Sequence, residues 1–267
     1  MNDSVLPRRV ALVTGGTGGI GGGIVLALTR RGFDVVVSDR AISPTAANDL
    51  KSGAAAGASL AFVEGDLADL EDLPRFVEQA FAAFGQIDCL VNNAGVSAKV
   101  RGDLLAVSPE SYDLNFAVNT RGAFFLTQSV CKRMIAEQPV GTESARSIIF
   151  ISSSNAAIAA PERGEYAMSK AAVAMMAKLF AVRLAPTGIV VYEVRPGLIR
   201  TAMTGVARKR FDKLLAKGFT PINRLGHAGG RWAGGRDHGR WGLTIFDRSR
   251  HSNRWRHAHP LLLIASK

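Results

Sequence analysis

The sequence predicts one doubly wound, Rossmann-like α/β domain built on a parallel sheet, with its last strand missing or altered. Three observations predict it. The chain opens with an apolar run that turns on glycines into a helical pattern; short apolar runs and helical patterns then alternate; and 267 residues at 47% hydrophobic content suit one large core.

The first unit reads VALVTGGTGGIGGGIVLALTRRG. Its apolar run predicts a strand, and Ile20, Ile24 and Leu28 at helical spacing predict a helix after the turn. Glycines at Gly15, Gly19 and Gly21 let backbone approach a phosphate, and the helix N-terminus offers free N–H groups to a pyrophosphate. The second strand, FDVVVSD, ends in Asp39. A carboxylate there accepts hydrogen bonds from adenosine ribose hydroxyls and repels a 2′-phosphate, so NAD is favoured over NADP. Arg40 keeps NADP as runner-up, since it could grip a 2′-phosphate, but no basic residue at Gly16, Thr17 or Gly18 assists it.

A helical stretch over residues 45 to 56 leads to a third strand, LAFVEGD, which leaves Asp66 just past its end, at the sheet edge where such folds bind ligands. A helix in LEDLPRFVEQAFAAFG follows, then a strand in DCLVNNAG ending at Asn92, Asn93, Ala94 and Gly95, where small residues admit a ligand against the backbone. A long helical region contains Asn119. The run SIIFISS forms a fifth strand and brings Ser153 to the same edge. IVVYEVRPGLIRT gives a sixth strand that ends in a Pro-Gly turn. Between these two strands, Tyr166 and Lys170 stand one helical turn apart on a shared face. An ammonium beside a phenol favours the ionised phenol and suits it to proton exchange near neutral pH. By itself such a pair is common on amphipathic helices; its place in this chain gives it meaning.

Composition removes other classes. No window reaches the roughly 18 apolar residues of a membrane span, and the N-terminus enters its first strand without an apolar signal segment. Cys89 and Cys131 each lie in an apolar run, which fits buried thiols and a reducing, cytoplasmic setting. The net charge of +11 is concentrated at one end: residues 227 to 267 carry +6, with all five histidines and all three tryptophans.

With these pieces placed, the chain resembles the short-chain dehydrogenase/reductase family over residues 8 to about 226, and within it the 3-oxoacyl-(acyl carrier protein) reductase-like members. The resemblance rests on Thr14-Gly15-x-x-x-Gly19-Ile20-Gly21, Asp66-Leu67, Asn92-Asn93-Ala94-Gly95, Asn119, Ser153, Tyr166-x-x-x-Lys170 and Pro196-Gly197-x-x-x-Thr201. It implies an oxidoreductase moving hydride between a nicotinamide cofactor and a secondary alcohol or ketone, with a 3-oxoacyl thioester as one candidate substrate. Tyr166 would exchange the proton, Ser153 would hydrogen-bond the reacting oxygen, Lys170 would lower the Tyr166 pKa and hold the nicotinamide ribose, and Asn119 would position a water linking Lys170 to solvent. Gly15, Thr17, Gly19, Ile20, Gly21, Asp39 and Arg40 would hold the pyrophosphate and adenosine side, Asp66 and Leu67 would meet the adenine, and the backbone of Asn92, Asn93, Ala94 and Gly95 would line the ribose. Pro196, Gly197, Ile199 and Thr201 would meet the nicotinamide carboxamide. Residues 99 to 105, 156 to 161 and 203 to 219 would shape the substrate pocket; their basic side chains could meet an anionic carrier or face water, and water is the favoured reading. A homodimer or homotetramer is implied, and is put in question by the tail.

Residues 1 to 226 are thus read as the domain and 227 to 267 as an aberrant basic tail. Where the family has a helix and a last strand, this chain reads HAGGRWAGGRDHGRWGLTIFDRSRHSNRWRHAHP, with no periodicity for a helix or buried strand. Read one base later in each codon, the stretch can yield Met-Pro-Glu-Asp-Val-Gly, then a Thr-Gly-Gln and an Asp-Gly-Gly motif at the family's spacing. The hypothesis is a frameshift near codon 226, and DNA sequence over codons 220 to 260 lacking these motifs in the shifted frame would end it. Without its last strand, the sixth strand would be an exposed edge. Two other readings stay open: an inactive or nucleotide-binding-only chain, and, less favoured, a nucleic-acid-binding tail. Five irregularly spaced histidines without acidic or thiol company do not make a metal site.

Overall fold

The computed structural model describes residues 8 to 137, 146 to 197, 199 to 200, 226 to 227 and 244 to 246. Its centre is a parallel sheet of six strands: β1 (Arg9–Thr14), β2 (Phe33–Asp39), β3 (Leu60–Glu64), β4 (Cys89–Asn92), β5 (Ser147–Ile151) and β6 (Val190–Val194). They lie in the order β3-β2-β1-β4-β5-β6. The order reverses between β1 and β4, which opens a crevice at the carboxyl ends of those two strands.

The central strands β1, β2 and β4 are buried on both faces, and alternation sorts side chains into two cores. From β1, Val10 and Leu12 point to one side, where they join Phe76 and Phe81 of α3 (Leu73–Ala82), Leu126 and Met134 of α5 (Ala123–Ala136) and Phe180 of α6 (Gly164–Leu184). Ala11 and Val13 point to the other and join Ile24 and Val25 of α1 (Gly19–Thr29) and Leu50 of α2 (Pro44–Gly53). Helix starts follow local chemistry. Ser43 accepts from Ala46 N at 3.2 Å and Ser108 from Ser111 N at 3.3 Å, each ahead of a proline at the start of α2 or of α4 (Pro109–Phe116).

The long helical region expected around Asn119 is interrupted. Between α4 and α5, Ala117–Gly122 forms a single wide turn of π type. Such turns insert a residue into a helix and re-aim its neighbours, frequently at functional sites.

At the other edge of the sheet, the expectation of an uncovered β6 does not hold. After a two-stranded pairing of β7 (Ile199–Arg200) with β8 (Gly226–His227), a short strand β9 (Thr244–Phe246) pairs antiparallel with β6, with Tyr192 opposite Ile245. A strand edge offers unpaired N–H and C=O groups to any extended segment. The rest of the tail lies outside the described residues, as do residues 203 to 219.

Candidate active site

One cleft of about 480 Å³ runs along the carboxyl ends of the strands, from the β1–α1 turn to the start of α6. At its nucleotide end, Thr14 ties β1 to β4. Its hydroxyl donates to Val91 O at 3.3 Å and accepts from the Asn93 and Ala94 N–H groups, both at 3.1 Å. The Asn93 amide donates back to Thr14 O and Gly15 O, each at 2.9 Å. The turn is thereby pressed against β4, and it closes with Gly15 at φ +61°. A Cβ at Gly21 would stand 2.0 Å from Gly15 O, so only glycine lets α1 begin this close to the strand. Gly18 precedes α1 in extended conformation with no side-chain cap and with open space where a side chain would be. The first-turn N–H groups of α1 therefore lie without a capping side chain, the cradle that a pyrophosphate fits.

Asp39, at the end of β2, accepts from the Thr17 hydroxyl at 2.5 Å and from Arg40 N at 2.9 Å. Its carboxylate is thus held over the turn, while Arg40 is exposed. Asp66, Leu67, Asn93, Ala94 and Gly95 line the cleft beyond it, and Ile20, Pro196, Gly197 and Ile199 complete it. These residues fit a dinucleotide, which when bound supplies the carbon that gives or takes hydride.

At the chemical end stand Ser153, Tyr166 and Lys170. Ser153 follows β5 and accepts from Asn155 N at 3.1 Å. Its hydroxyl also bonds the Tyr166 phenol, which favours the ionised form. Burial nonetheless sets the phenol above its ordinary value, and Ser153, Arg163 and Arg101 oppose that rise. The expectation that Lys170 supplies the lowering charge therefore meets a different arrangement. The Lys170 Nζ lies 5.9 Å from the Tyr166 ring centroid and donates to Ile151 O at 2.9 Å. Burial alone brings the Lys170 ammonium down to about 8.

Asn119 is 1% exposed and sits behind the cleft rather than in its wall. Its carbonyl oxygen accepts from Val96 N at 2.8 Å, and its amide donates to Val96 O at 3.0 Å and Ser169 Oγ at 2.9 Å. The Asn119 side chain clasps the strand-end backbone to α6. A Cβ at Gly95 would lie 3.0 Å from Asn119 Oδ1 and 3.4 Å from Lys170 Nζ, so Gly95 separates the two and brings the β4 loop against both.

Asn92 is buried below the cleft and donates to Thr127 Oγ1 at 2.9 Å, because strand alternation turns it towards α5; the lining begins at Asn93. Thr201 lies outside the described residues. Arg101, in the stretch 99 to 105 expected at the pocket but set facing water, stands in the cleft wall. Arg163 stands there too and was missed by sequence reasoning, although it is only three residues before Tyr166.

The buried Lys170 leads to a stability prediction. Its value near 8 lies below the ordinary 10.5, so between those pH values the unfolded chain binds the proton more tightly. The stability cost is full below about pH 8, on the order of 3 kcal/mol, and fades as pH rises towards 10.5. Lys170→Met should therefore be more stable than the parent at pH 7 by about 1 to 2 kcal/mol, after loss of the bond to Ile151 O. Urea unfolding at pH 7 and pH 10 checks this: a gap that does not shrink at the higher pH would contradict it.

A cleft built this way takes a dinucleotide at one end and a hydroxyl- or carbonyl-bearing carbon at the other, the division of labour of a nicotinamide-dependent oxidoreductase. Comparison with known proteins gives the family: the family model described as short chain dehydrogenase matches residues 9–211, and the chain belongs to that family. Among solved structures it is similar to a 3-oxoacyl-[acyl-carrier protein] reductase from Brucella melitensis in complex with NAD, at 44% identity and TM-score 0.78, covering 84% of this chain and 86% of that one. It is similar to a candidate NAD(P)-dependent gluconate 5-dehydrogenase from Beutenbergia cavernae with NADP bound at low occupancy, at 31% identity and TM-score 0.73, covering 84% and 86%. Among curated relatives, tetrahydroxynaphthalene reductase of Pyricularia oryzae is 30% identical over 83% of this chain and 79% of its own length. The chain is an NAD(P)-dependent oxidoreductase acting on CH–OH and keto groups. Among the described residues, no helix is long and apolar enough to cross a membrane.

Proposed function

We propose that the chain interconverts a secondary alcohol and a ketone with NAD as the preferred cofactor. The observation that carries this reading is that Ser153, Tyr166 and Lys170 share one cleft with the glycine turn and Asp39. Tyr166 gives or takes the proton of the substrate oxygen, and the Ser153 hydroxyl hydrogen-bonds that oxygen as its charge changes. Lys170, placed beside Gly95, holds the ribose side of the cofactor. Asn119 acts on the site through Val96 and Ser169. The Brucella melitensis neighbour is named a 3-oxoacyl-[acyl-carrier protein] reductase, which supports a 3-oxoacyl thioester as one candidate substrate.

The NAD preference rests on Asp39, whose carboxylate stands where a 2′-phosphate would approach. Replacing it with alanine should shift the ratio of kcat/KM for NAD over NADP by at least about tenfold towards NADP, since a like-charge contact of about 1.4 kcal/mol or more is removed. An unchanged ratio in steady-state assays would sink the assignment.

Residues 1 to 226 are proposed as the functional domain and 227 to 267 as its aberrant tail. Two buried free thiols, pushed up by burial to about 11 for Cys89 and about 12 for Cys131, support a cytoplasmic setting without disulfides. Self-association is supported by an apolar stripe on α6, where Met168, Met175, Leu179 and Val182 are exposed, with Phe125 on α5.

A further inference from the structure

The chemical end of the cleft carries more positive charge than proton exchange requires. Arg101 and Arg163 both line it, and both are only half-exposed. The Arg163 guanidinium carbon stands 5.5 Å from the centroid of the Tyr166 ring. Arg101 enters none of the ion pairs among the described residues.

The two arginines are held on one framework although they are distant in sequence. Gly102 N donates to Glu162 O at 3.1 Å, which joins the peptide after Arg101 to the residue before Arg163. On the other side of Arg101, Lys99 N donates to Ser111 Oγ at 3.3 Å, and Ser111 donates to the buried Glu165 at 2.7 Å. A Cβ at Gly164 would meet Leu104 Cδ1 at 2.3 Å, so the loop is docked closely on the start of α6. Of the carboxylates on this framework, Asp103 accepts from Leu105 N at 3.0 Å, and Glu165, at 1% exposure, accepts from Ser111 Oγ at 2.7 Å. A half-buried guanidinium is stable beside an anion, and its planar fork matches a carboxylate or phosphate.

We propose that Arg101 and Arg163 form an anion subsite beside Tyr166, and that the substrate carries a carboxylate or phosphate close to the carbon that exchanges hydride. The inference rests on the oxidoreductase reading above and narrows it: a hydroxy acid, oxo acid or phosphorylated alcohol is taken in preference to a neutral alcohol or acyl thioester. The same arginines stabilise the phenolate of Tyr166, so an anionic substrate that pairs with them also weakens that stabilisation and leaves the phenol better able to keep its proton.

The test uses the full chain with NAD or NADH and matched probes: 3-hydroxybutyrate against its methyl ester, sn-glycerol 3-phosphate against glycerol, and acetoacetate against its N-acetylcysteamine thioester. The parent should favour the anionic member of at least one pair by tenfold or more in kcat/KM. Which pair responds distinguishes carboxylate from phosphate. Arg101→Gln and Arg163→Gln should each lose at least tenfold more activity on the anion than on its neutral partner, mainly through KM, while NAD still raises the melting temperature. Equal losses on both members, accompanied by a shifted pH profile, would mean that the arginines only tune Tyr166, and would overturn the subsite. Preference for the neutral member would overturn it too, leaving the oxidoreductase reading intact. If no probe reacts while NAD still stabilises the chain, the hydride-transfer reading fails for these substrates, and the subsite fails with it.

Discussion

Tyr166→Phe should lower kcat by about 10² to 10⁴ while leaving the binding of NAD nearly unchanged. The ring keeps its packing, and the residue removed is one oxygen at the end of a side chain that is otherwise half-buried. What disappears is the only phenol among Ser153, Tyr166 and Lys170 that can pass a proton to the substrate oxygen at an ordinary cost. Ser153 remains and can still hydrogen-bond that oxygen, so residual activity should persist. Lys170, set at about 8, is held away by its bond to Ile151 O and does not replace the phenol. Two measurements separate chemistry from folding: steady-state kcat, and the thermal shift on adding NAD. At about 100 times Kd the shift should still correspond to roughly 2.7 kcal/mol. Activity that survives the substitution within a factor of a few would show that Tyr166 is not the acid/base.

Gly21→Ala should act in the opposite way, removing the cofactor site and with it much of the stability of the N-terminal half. The methyl group would be placed 2.0 Å from Gly15 O and 2.6 Å from the Asn93 side-chain amide. Neither neighbour can give way freely. Gly15 is fixed in its turn at φ +61°, and Asn93 is bonded to both Thr14 O and Gly15 O. Relief requires α1 to withdraw from β1, which opens contacts of Ile24 and Val25 with the sheet. Overpacking of this kind typically costs about 1 to 3 kcal/mol, and contact with backbone puts this case at the upper end. A lowered urea midpoint, together with loss of the NAD-induced thermal shift, is the expected result. A variant that melts like the parent and is still stabilised by NAD would show that the turn is not the cradle described here.

Much of the fold was legible because its signals are local. A parallel strand buried on both faces reads as an apolar run, and Ala11, Val13, Leu12 and Val10 announce β1 without reference to anything distant. The glycine turn and the Tyr166–Lys170 spacing are likewise short-range patterns. The strand ends at Asp39, Asn93 and Ser153 were enough to place the cleft, because doubly wound sheets bring their carboxyl ends to one edge.

What remained hidden depends on contacts between segments far apart in the chain. The sequence could not show that the Asn119 amide is taken up by Val96 and Ser169, since that follows from a wide turn whose register is set by packing. Asn92 and Asn93 are neighbours of the same type, yet the pleat sends one below the cleft and the other into it. β9 was missed because a three-residue strand is chosen by the open edge it meets, not by its own pattern. The charge around Tyr166 is the clearest case. Four residues of spacing brought Lys170 into view, but not the burial that lowers its ammonium to about 8, while Arg101 arrives from 65 positions away through a loop pinned at Ser111 and Glu162. Sequence alone determined which groups could do the chemistry; tertiary structure decided their protonation and company, because burial and distance set both.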